Sequence, residues 1–403
     1  MLLINVINYA DRSIIGILLE PIKIDLQLSD TQIGLISGLA FALFYAFAGL
    51  AIAYLCDLYS RRTIIVVSII GWSVMTALTG AANNFVQLFI VRMGIGVGEA
   101  GAIPASNSLI ADWFPAAKRP LAMAIFGASV FVGVMVGAIM GGYIAEHYGW
   151  RWAFVAAATP GIPLAILTWY TLKEPKRGQA DGIEAAPVGS LKSTVALLLR
   201  NKAYVYLILA FAFMTFLLFG VVNWFPAYLM RAKGVGQAEI GLYFGLALGL
   251  GNATGAIIGG YAASVLAKKS LSWLTLFPFI LSFLLIPLFE AAVFAPTAIG
   301  AFAFIAIAGA VGGSILGPVL ASIQTVVSPH VRTTASGLNG VLFSIVGHGG
   351  APLFIGFFSD RFAVSMPSAE ALQTSLSLAV LSGIPLTIFL GLAHRAFKQM
   401  NIE

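Results

Sequence analysis

The chain has 403 residues, of which 60% are hydrophobic and only 9% charged, with a mean hydropathy of +0.96. Soluble proteins carry about 25% charged residues, so a soluble multidomain enzyme is excluded and lipid is the expected solvent for most of the chain. A net charge of +6 does not point to nucleic acid, because no Lys/Arg stripe alternates with aromatics. The single cysteine, Cys56, rules out an intrachain disulfide. His147, His330, His348 and His394 have no metal-ligand spacing, so no metal site or cofactor is expected.

A membrane-crossing helix needs about 20 mostly apolar residues. Hydropathy places spans near 1–20, 33–55, 62–82, 86–111, 119–145, 151–172, 203–230, 238–266, 271–292, 296–327, 331–358 and 370–396. No secretory signal is expected, since Met1-Leu2-Leu3-Ile4 lacks a positive n-region. The first span begins at the first residue without a cytoplasmic lead-in, which leaves room for a trimmed or missing upstream segment. Residues 173–202, with Pro175, Gly178, Pro187 and several charges, read as a cytoplasmic linker. The domains expected are therefore an N-terminal bundle over 1–172, the linker, and a C-terminal bundle over 203–403. With the N-terminus inside, 15 lysines and arginines fall in inner loops and five in outer loops, the latter being Lys23, Arg151, Arg231, Lys233 and Arg361. That bias places both termini in the cytoplasm.

Gln32-Ile33-Gly34-Leu35 matches Glu239-Ile240-Gly241-Leu242 at an offset of 207, which also pairs Gly38 with Gly245 and Arg61-Arg62 with Lys268-Lys269. An offset of 213 pairs Arg119 with Arg332, Gly127 with Gly340 and Gly137 with Gly350. Spans 1–6 and 7–12 thus read as parallel copies. The fold class expected is an all-α membrane protein of twelve transmembrane helices in two pseudo-symmetric six-helix bundles, the major facilitator layout. Gly133, Gly137 and Gly141 share one face of the fifth span, and Gly251, Gly255 and Gly259 one face of the eighth. Small residues four apart let helices approach closely, either as static packing or as smooth surfaces for rocking. Gly96-Val97-Gly98-Glu99-Ala100-Gly101 spells G-x-G-x-x-G but lies inside an apolar run, without the strand that a dinucleotide site requires.

Ionisable groups inside a span cost about 2.5–3.5 kcal/mol or more at the bilayer centre. Asp11, Arg12, Arg92 and Glu99 are such residues, all in the first half, two of each sign. Arg92 and Glu99 share a helix face about 10 Å apart. Asp11, Arg12 and Glu99 are expected at one depth, with Asn5 and Asn8 on the same polar face and Tyr9 beside it. One reading is a set of structural salt bridges. The other is a proton and substrate site, in which a carboxylate in a partly dry cavity exchanges a proton as a neighbouring arginine moves. Asp11 and Glu99 are then the proton carriers, Arg12 and Arg92 the modulators and anion contacts. Spans 7–12 are read as holding no acid or base at comparable depth except His348, which is set aside as a packing residue. Their interior offers Asn223, Asn252, Ser314, Gln324, Asn339 and phenylalanines such as Phe211, Phe213, Phe216, Phe219, Phe225 and Phe244. A cavity with one charged and one apolar wall suits an amphipathic substrate.

Asn8-Tyr9-Ala10-Asp11-Arg12 resembles the signature of the spinster family, a branch of the major facilitator superfamily. Arg92-Met93-Gly94-Ile95-Gly96-Val97-Gly98-Glu99-Ala100 resembles that family's fourth span. The loop between spans 2 and 3 is similar to the superfamily's motif at Asp57, Arg61 and Arg62, with Ala53, Leu58 and Ser60 at departing positions. The fifth span carries Ala138 where a proline before Gly141-Gly142 is usual. The resemblance implies a secondary transporter of lysolipid- or sphingolipid-like molecules driven by a proton gradient. It also implies a cytoplasmic latch at Asp57, Arg61 and Arg62, which Asp112 and Arg119 join or else merely bracket as a solvated loop. Asn8 and Tyr9 belong with Arg12 and Arg92 on the substrate side. The expected partners are a small amphipathic substrate, protons and membrane lipids, with no nucleic acid. A monomer in the cytoplasmic membrane of a bacterium is expected. The alternative is a proton-coupled transporter of another organic anion or drug on the same scaffold. A sensor without transport is a further alternative; a membrane enzyme lacks H-E-x-x-H or G-x-S-x-G support.

Overall fold

A computed structural model describes residues 1–115, 118–175, 191–328 and 331–400. Among these residues the chain is all helix, and twelve helices are long and apolar enough to cross a membrane. The first six are Leu2–Leu26, Asp30–Cys56, Arg61–Gly80, Phe85–Trp113, Ile125–Tyr148 and Trp150–Thr171. The second six are Lys202–Lys233, Gln237–Ala267, Trp273–Val293, Ala298–Val326, Thr334–Phe362 and Ser368–Gln399. The first span runs six residues beyond the expected end at 20. Pro21 is accommodated inside the helix, and the last turn is tied down by Lys23, whose Nζ lies 2.7 Å from Asp30. Gln27 then stops it in the left-handed conformation, with φ 53°. Inside the segment read as a linker, Leu191–Arg200 is a helix, while residues 176–190 lie outside the described residues.

Proline position explains where spans break. A proline cannot donate to the carbonyl four residues back, and its ring crowds that carbonyl. The fourth span is interrupted at Ala100-Gly101, four before Pro104; the sixth at Thr159-Pro160, four before Pro163. The ninth is interrupted at Phe283-Leu284, four before Pro287, and the twelfth at Leu381-Ser382, four before Pro385. The sixth and twelfth breaks share the words Gly161-Ile162-Pro163-Leu164 and Gly383-Ile384-Pro385-Leu386, a repeat at offset 222. Two spans also contain π-helical turns, Leu35–Leu39 in the second and Phe343–Gly350 in the eleventh.

The chain divides into two compact units, Met1–Ala186 with Gly234–Gly245, and Pro187–Lys233 with Leu246–Glu403. In the first unit the glycine face of the fifth span lies on the first span. A Cβ on Gly137 would collide with the carbonyl oxygen of Ala10, and one on Gly141 with the side chain of Ile14. The opening turn of the eighth span belongs to this unit, and its Ala238 N–H donates to Glu146 Oε2 at 2.7 Å. Ile4, Phe41, Ile65, Ile69, Trp72, Ile95, Leu109 and Leu164 form a continuous buried cluster. In the second unit the same device joins spans 8 and 10, where Gly251, Gly255 and Gly259 press on Ala306, Ala310 and Ser314. Exposed apolar side chains such as Ile257, Ile258, Tyr261 and Ile299 remain for lipid, where helices satisfy every backbone polar group internally.

Candidate functional site: a buried charge cluster in the first unit

Asn5, Asn8, Asp11 and Arg12 fall at helical spacings of three and four, so one face of the first span carries all of them. Asn5 is used structurally. Its Nδ2 donates to Ser129 Oγ at 2.8 Å and to the Phe126 carbonyl at 3.1 Å. Glu99 is the last residue of Phe85–Glu99, immediately before the fourth-span break. Discontinuous helices carry sites at their exposed ends in transporters, and here the break holds a fully buried carboxylate.

Arg12 Nε donates to Glu99 Oε2, and the two side chains are 9% and 0% exposed. The Arg12 guanidinium also lies over three rings, with Cζ 4.5 Å from the centroid of Tyr45, 5.0 Å from Phe41 and 5.2 Å from Tyr9. A desolvated cation over aromatic faces gains about 2 kcal/mol. Tyr9 therefore contacts the arginine of its own helix, while Phe41 and Tyr45, stacked with centroids 5.4 Å apart, reach it from the second span. Sequence reasoning missed both.

Asp11 sits outside this ion pair. It is 2% exposed and accepts a hydrogen bond from Thr76 Oγ1 of the third span. The charges that act on it are Glu99, Arg92 and Arg12. Arg92, also buried, donates through Nε to the Ile36 carbonyl at 3.3 Å and lies 5.4 Å from the Phe41 centroid. Ile36 belongs to the π turn of the second span, where the shifted hydrogen-bond register frees carbonyls. Phe41 thus faces both guanidinium groups. Asn8 stands beside the Glu99 carboxyl. Its two polar atoms, Asp11 Oδ1, Arg12 Nη2 and Glu99 Oε1 are all buried and unpartnered. Such unmet donors and acceptors cost about 1–3 kcal/mol each.

A second network holds the loop-facing ends of spans 3, 4 and 6. Arg61, 1% exposed, pairs with Asp112 and with Glu174 Oε1 at 2.8 Å, and donates to Ser108 Oγ at 2.8 Å. Glu174 further accepts from the Arg62 N–H and from Ser60 Oγ, both at 2.9 Å. Partial burial pushes the Glu174 carboxyl up, but the donors Arg62, Arg61 and Ser60 together outweigh it and hold the carboxyl below its usual range. Arg62 lies over Trp169, with Cζ 4.6 Å from the ring centroid. The side chains of Asp57 and Arg119 lie outside the described residues. Glu174 was not among the expected latch residues; its signal was an acid next to Pro175 just past a span end.

The second unit holds ionisable side chains toward the ends of its spans. Glu290 lies within Leu285–Val293, inside the ninth span, where Ser377 of the twelfth donates to its Oε2 at 2.9 Å. His394 is likewise inside the twelfth span, hydrogen-bonded to Thr275 at 2.9 Å. Glu290 lies three residues from the end of its span and His394 five from the end of its own. His348 packs between Phe219 and Phe343, with centroids 3.8 and 4.8 Å away. Phe211, Phe225 and Phe244 are buried.

Known proteins share this architecture. A family model described as Major Facilitator Superfamily matches residues 1–352. An "MFS-type efflux pump" of Mycolicibacterium smegmatis (strain ATCC 700084 / mc(2)155) is 32% identical over 380 residues, 94% of this chain and 87% of that protein. The "Probable galactarate/D-glucarate transporter GudP" of Bacillus subtilis (strain 168) is 29% identical over 297 residues, 68% of this chain and 65% of that protein. The crystal structure of a bacterial homologue of the human lysosomal transporter spinster, inward-facing and unoccupied, superposes with a TM-score of 0.88 at 28% identity, covering 99% of this chain and 96% of that one. This integral, multi-pass membrane protein is a transporter rather than an enzyme, and the chain belongs to the Major Facilitator Superfamily.

Proposed function

We propose that the protein is a proton-coupled secondary transporter that moves an amphipathic, lysolipid- or sphingolipid-like substrate by alternating access. The observation that carries the proposal is the buried cluster of Asp11, Arg12, Arg92 and Glu99, with five unpartnered polar atoms, in helices that cross lipid. Asp11 and Glu99 are the proton carriers. When Glu99 takes up a proton its ion pair with Arg12 is lost, and the guanidinium keeps its aromatic contacts while turning to an anionic headgroup. Arg92 modulates Asp11 from the fourth span, and Asn8 and Tyr9 complete the polar wall. The lipid class comes from the spinster-like motifs at Asn8–Arg12 and Arg92–Ala100, and the likeness to the bacterial spinster homologue supports that resemblance. A cytoplasmic latch at Asp57, Arg61, Arg62, Asp112 and Arg119 closes the inner side. The protein works as a monomer in a bacterial cytoplasmic membrane, with both termini inside.

A second reading, transport of another organic anion or drug, is favoured by the cluster's two arginines, Arg12 and Arg92, and by the relatives named for efflux and for sugar diacids. Proteoliposomes with an imposed proton gradient separate the two. Uptake of a lysophospholipid and sphingoid panel supports the first, and uptake of galactarate or glucarate alone replaces it with the second. Asp11→Asn and Glu99→Gln are each expected to abolish the pH dependence of uptake, because neither amide titrates. An unchanged pH response in either variant removes that residue from the coupling role.

A further inference from the structure

Threonines inside helices ordinarily return their hydroxyl to the carbonyl four residues back. Thr79 does so to Met75 at 3.0 Å, Thr159 to Val155, Thr254 to Leu250 and Thr325 to Ala321, each at 2.8 Å. Thr76, one turn before Thr79 and fully buried, instead sends its hydroxyl out of its own helix to Asp11 Oδ2. Asp11 Oδ1 is buried and unpartnered, so among the described residues Thr76 is the one hydrogen-bond partner of this carboxyl. The charged groups that bear on Asp11 are Glu99 and Arg92 of the fourth span and Arg12 of its own helix. Arg12 is committed to Glu99, and Arg92 donates to Ile36.

We propose that Thr76 is a positioning residue for proton exchange at Asp11, a hydroxyl that stays hydrogen-bonded to this carboxyl in both of its protonation states. A hydroxyl is donor and acceptor at once. It donates to the carboxylate, and after protonation it accepts from the new O–H by rotating about its C–O bond. No heavy atom has to move, so the hydrogen bond at Asp11 Oδ2 survives the arrival and departure of the proton. Arginine and lysine side chains cannot do this because they only donate, and a backbone carbonyl cannot because it only accepts. The inference rests on the proposed coupling role of Asp11.

The test is an infrared pH titration of the full-length protein in proteoliposomes, with no substrate needed. The carbonyl stretch of the protonated Asp11 carboxyl is identified by its loss in Asp11→Asn. In Thr76→Val, nearly the same volume without the hydroxyl, the midpoint of that band is expected to move about one pH unit toward higher pH, because the carboxylate has lost its donor. The band frequency is expected to shift as well. Thr76→Ser, which restores the hydroxyl, is expected to return both to within about 0.3 unit of the parent. A Thr76→Val protein that folds and titrates as the parent does overturns the proposal, leaving Thr76 as a packing residue. Should Asp11→Asn remove no titrating band, the coupling role of Asp11 falls, and the role of Thr76 with it. If Thr76→Val folds poorly, Thr76→Ala is titrated in its place under the same criteria.

Discussion

In the first unit Asp11, Arg92 and Glu99 are buried, with at most a few per cent exposed, and the Arg12 side chain is 9% exposed. In the second, the fully buried polar groups are neutral, among them Thr215, Ser322, Asn339 and Ser344, and the acid Glu290 rests on a serine hydroxyl. Yet the two units use the same construction. Glycine faces seat one helix on another in each, and the Gly-Ile-Pro-Leu words break the sixth and twelfth spans alike. The packing devices of the repeat persist in both halves, because close helix approach in lipid demands small residues wherever it occurs. Among the described residues the buried charges stand in the first unit, and the cost of burying an ion in lipid is why such charges are rare.

The largest effect that probes this difference is Arg12→Ala. It leaves the fully buried Glu99 without its cation, and removing one partner of a buried pair costs about 3–5 kcal/mol. Transport should be lost and the melting temperature should fall steeply, as followed by thermal unfolding in detergent. Asn252→Ala in the second unit, where the amide only donates to Leu248 of its own helix at 2.9 Å, should cost far less. Equal losses from the two changes would erase the distinction between the units.

The shared packing is probed by Gly137→Val and Gly255→Val. Each new side chain would meet a backbone carbonyl, that of Ala10 in the first unit and Ala310 in the second. Overpacking costs about 1–3 kcal/mol or more, and both variants should lose folded yield to a similar degree. A drop in only one, measured by size-exclusion chromatography, would show that the glycine faces are not equivalent.

The smallest effect comes from the same change made in each unit. Glu174→Gln removes a carboxylate whose folded value is depressed, so its stabilisation is present above the ordinary glutamate value of about 4.3 and is lost as pH falls through the folded value. The variant should melt a few degrees below the parent at pH 7, and the difference should shrink as pH falls below about 4.3 and vanish only below the folded value. Glu290→Gln keeps an oxygen for Ser377 to donate to and should leave both the melting temperature at pH 7 and the pH profile of uptake close to the parent. A pH-dependent loss in Glu290→Gln would mean that the second unit also carries a charge that matters.

Much of this was legible in the residues. Each span had to be apolar for about 20 residues to cross lipid, so hydropathy found all twelve, the first ending six residues early. The same expense that keeps ions out of lipid made Asp11, Arg12, Arg92 and Glu99 conspicuous. Glu290 lies three residues from the end of the ninth span, where an acid reaches the interface more easily than at midspan. Phe41 and Tyr45 gave no signal, since one aromatic in an apolar run looks like any other.

The amino-acid order determined by itself how many helices there are and which faces carry glycine or charge, because those properties follow from local backbone geometry and from the cost of solvation. Which prolines interrupt a helix it did not determine, since Pro21, Pro226, Pro278 and Pro318 lie inside unbroken ones. Which partner each buried group receives was decided only by the fold. Asp11 and Arg12 are neighbours in the chain, but successive helical residues point about 100° apart. One is therefore delivered to a threonine on the third span, and the other to a glutamate on the fourth and two rings on the second.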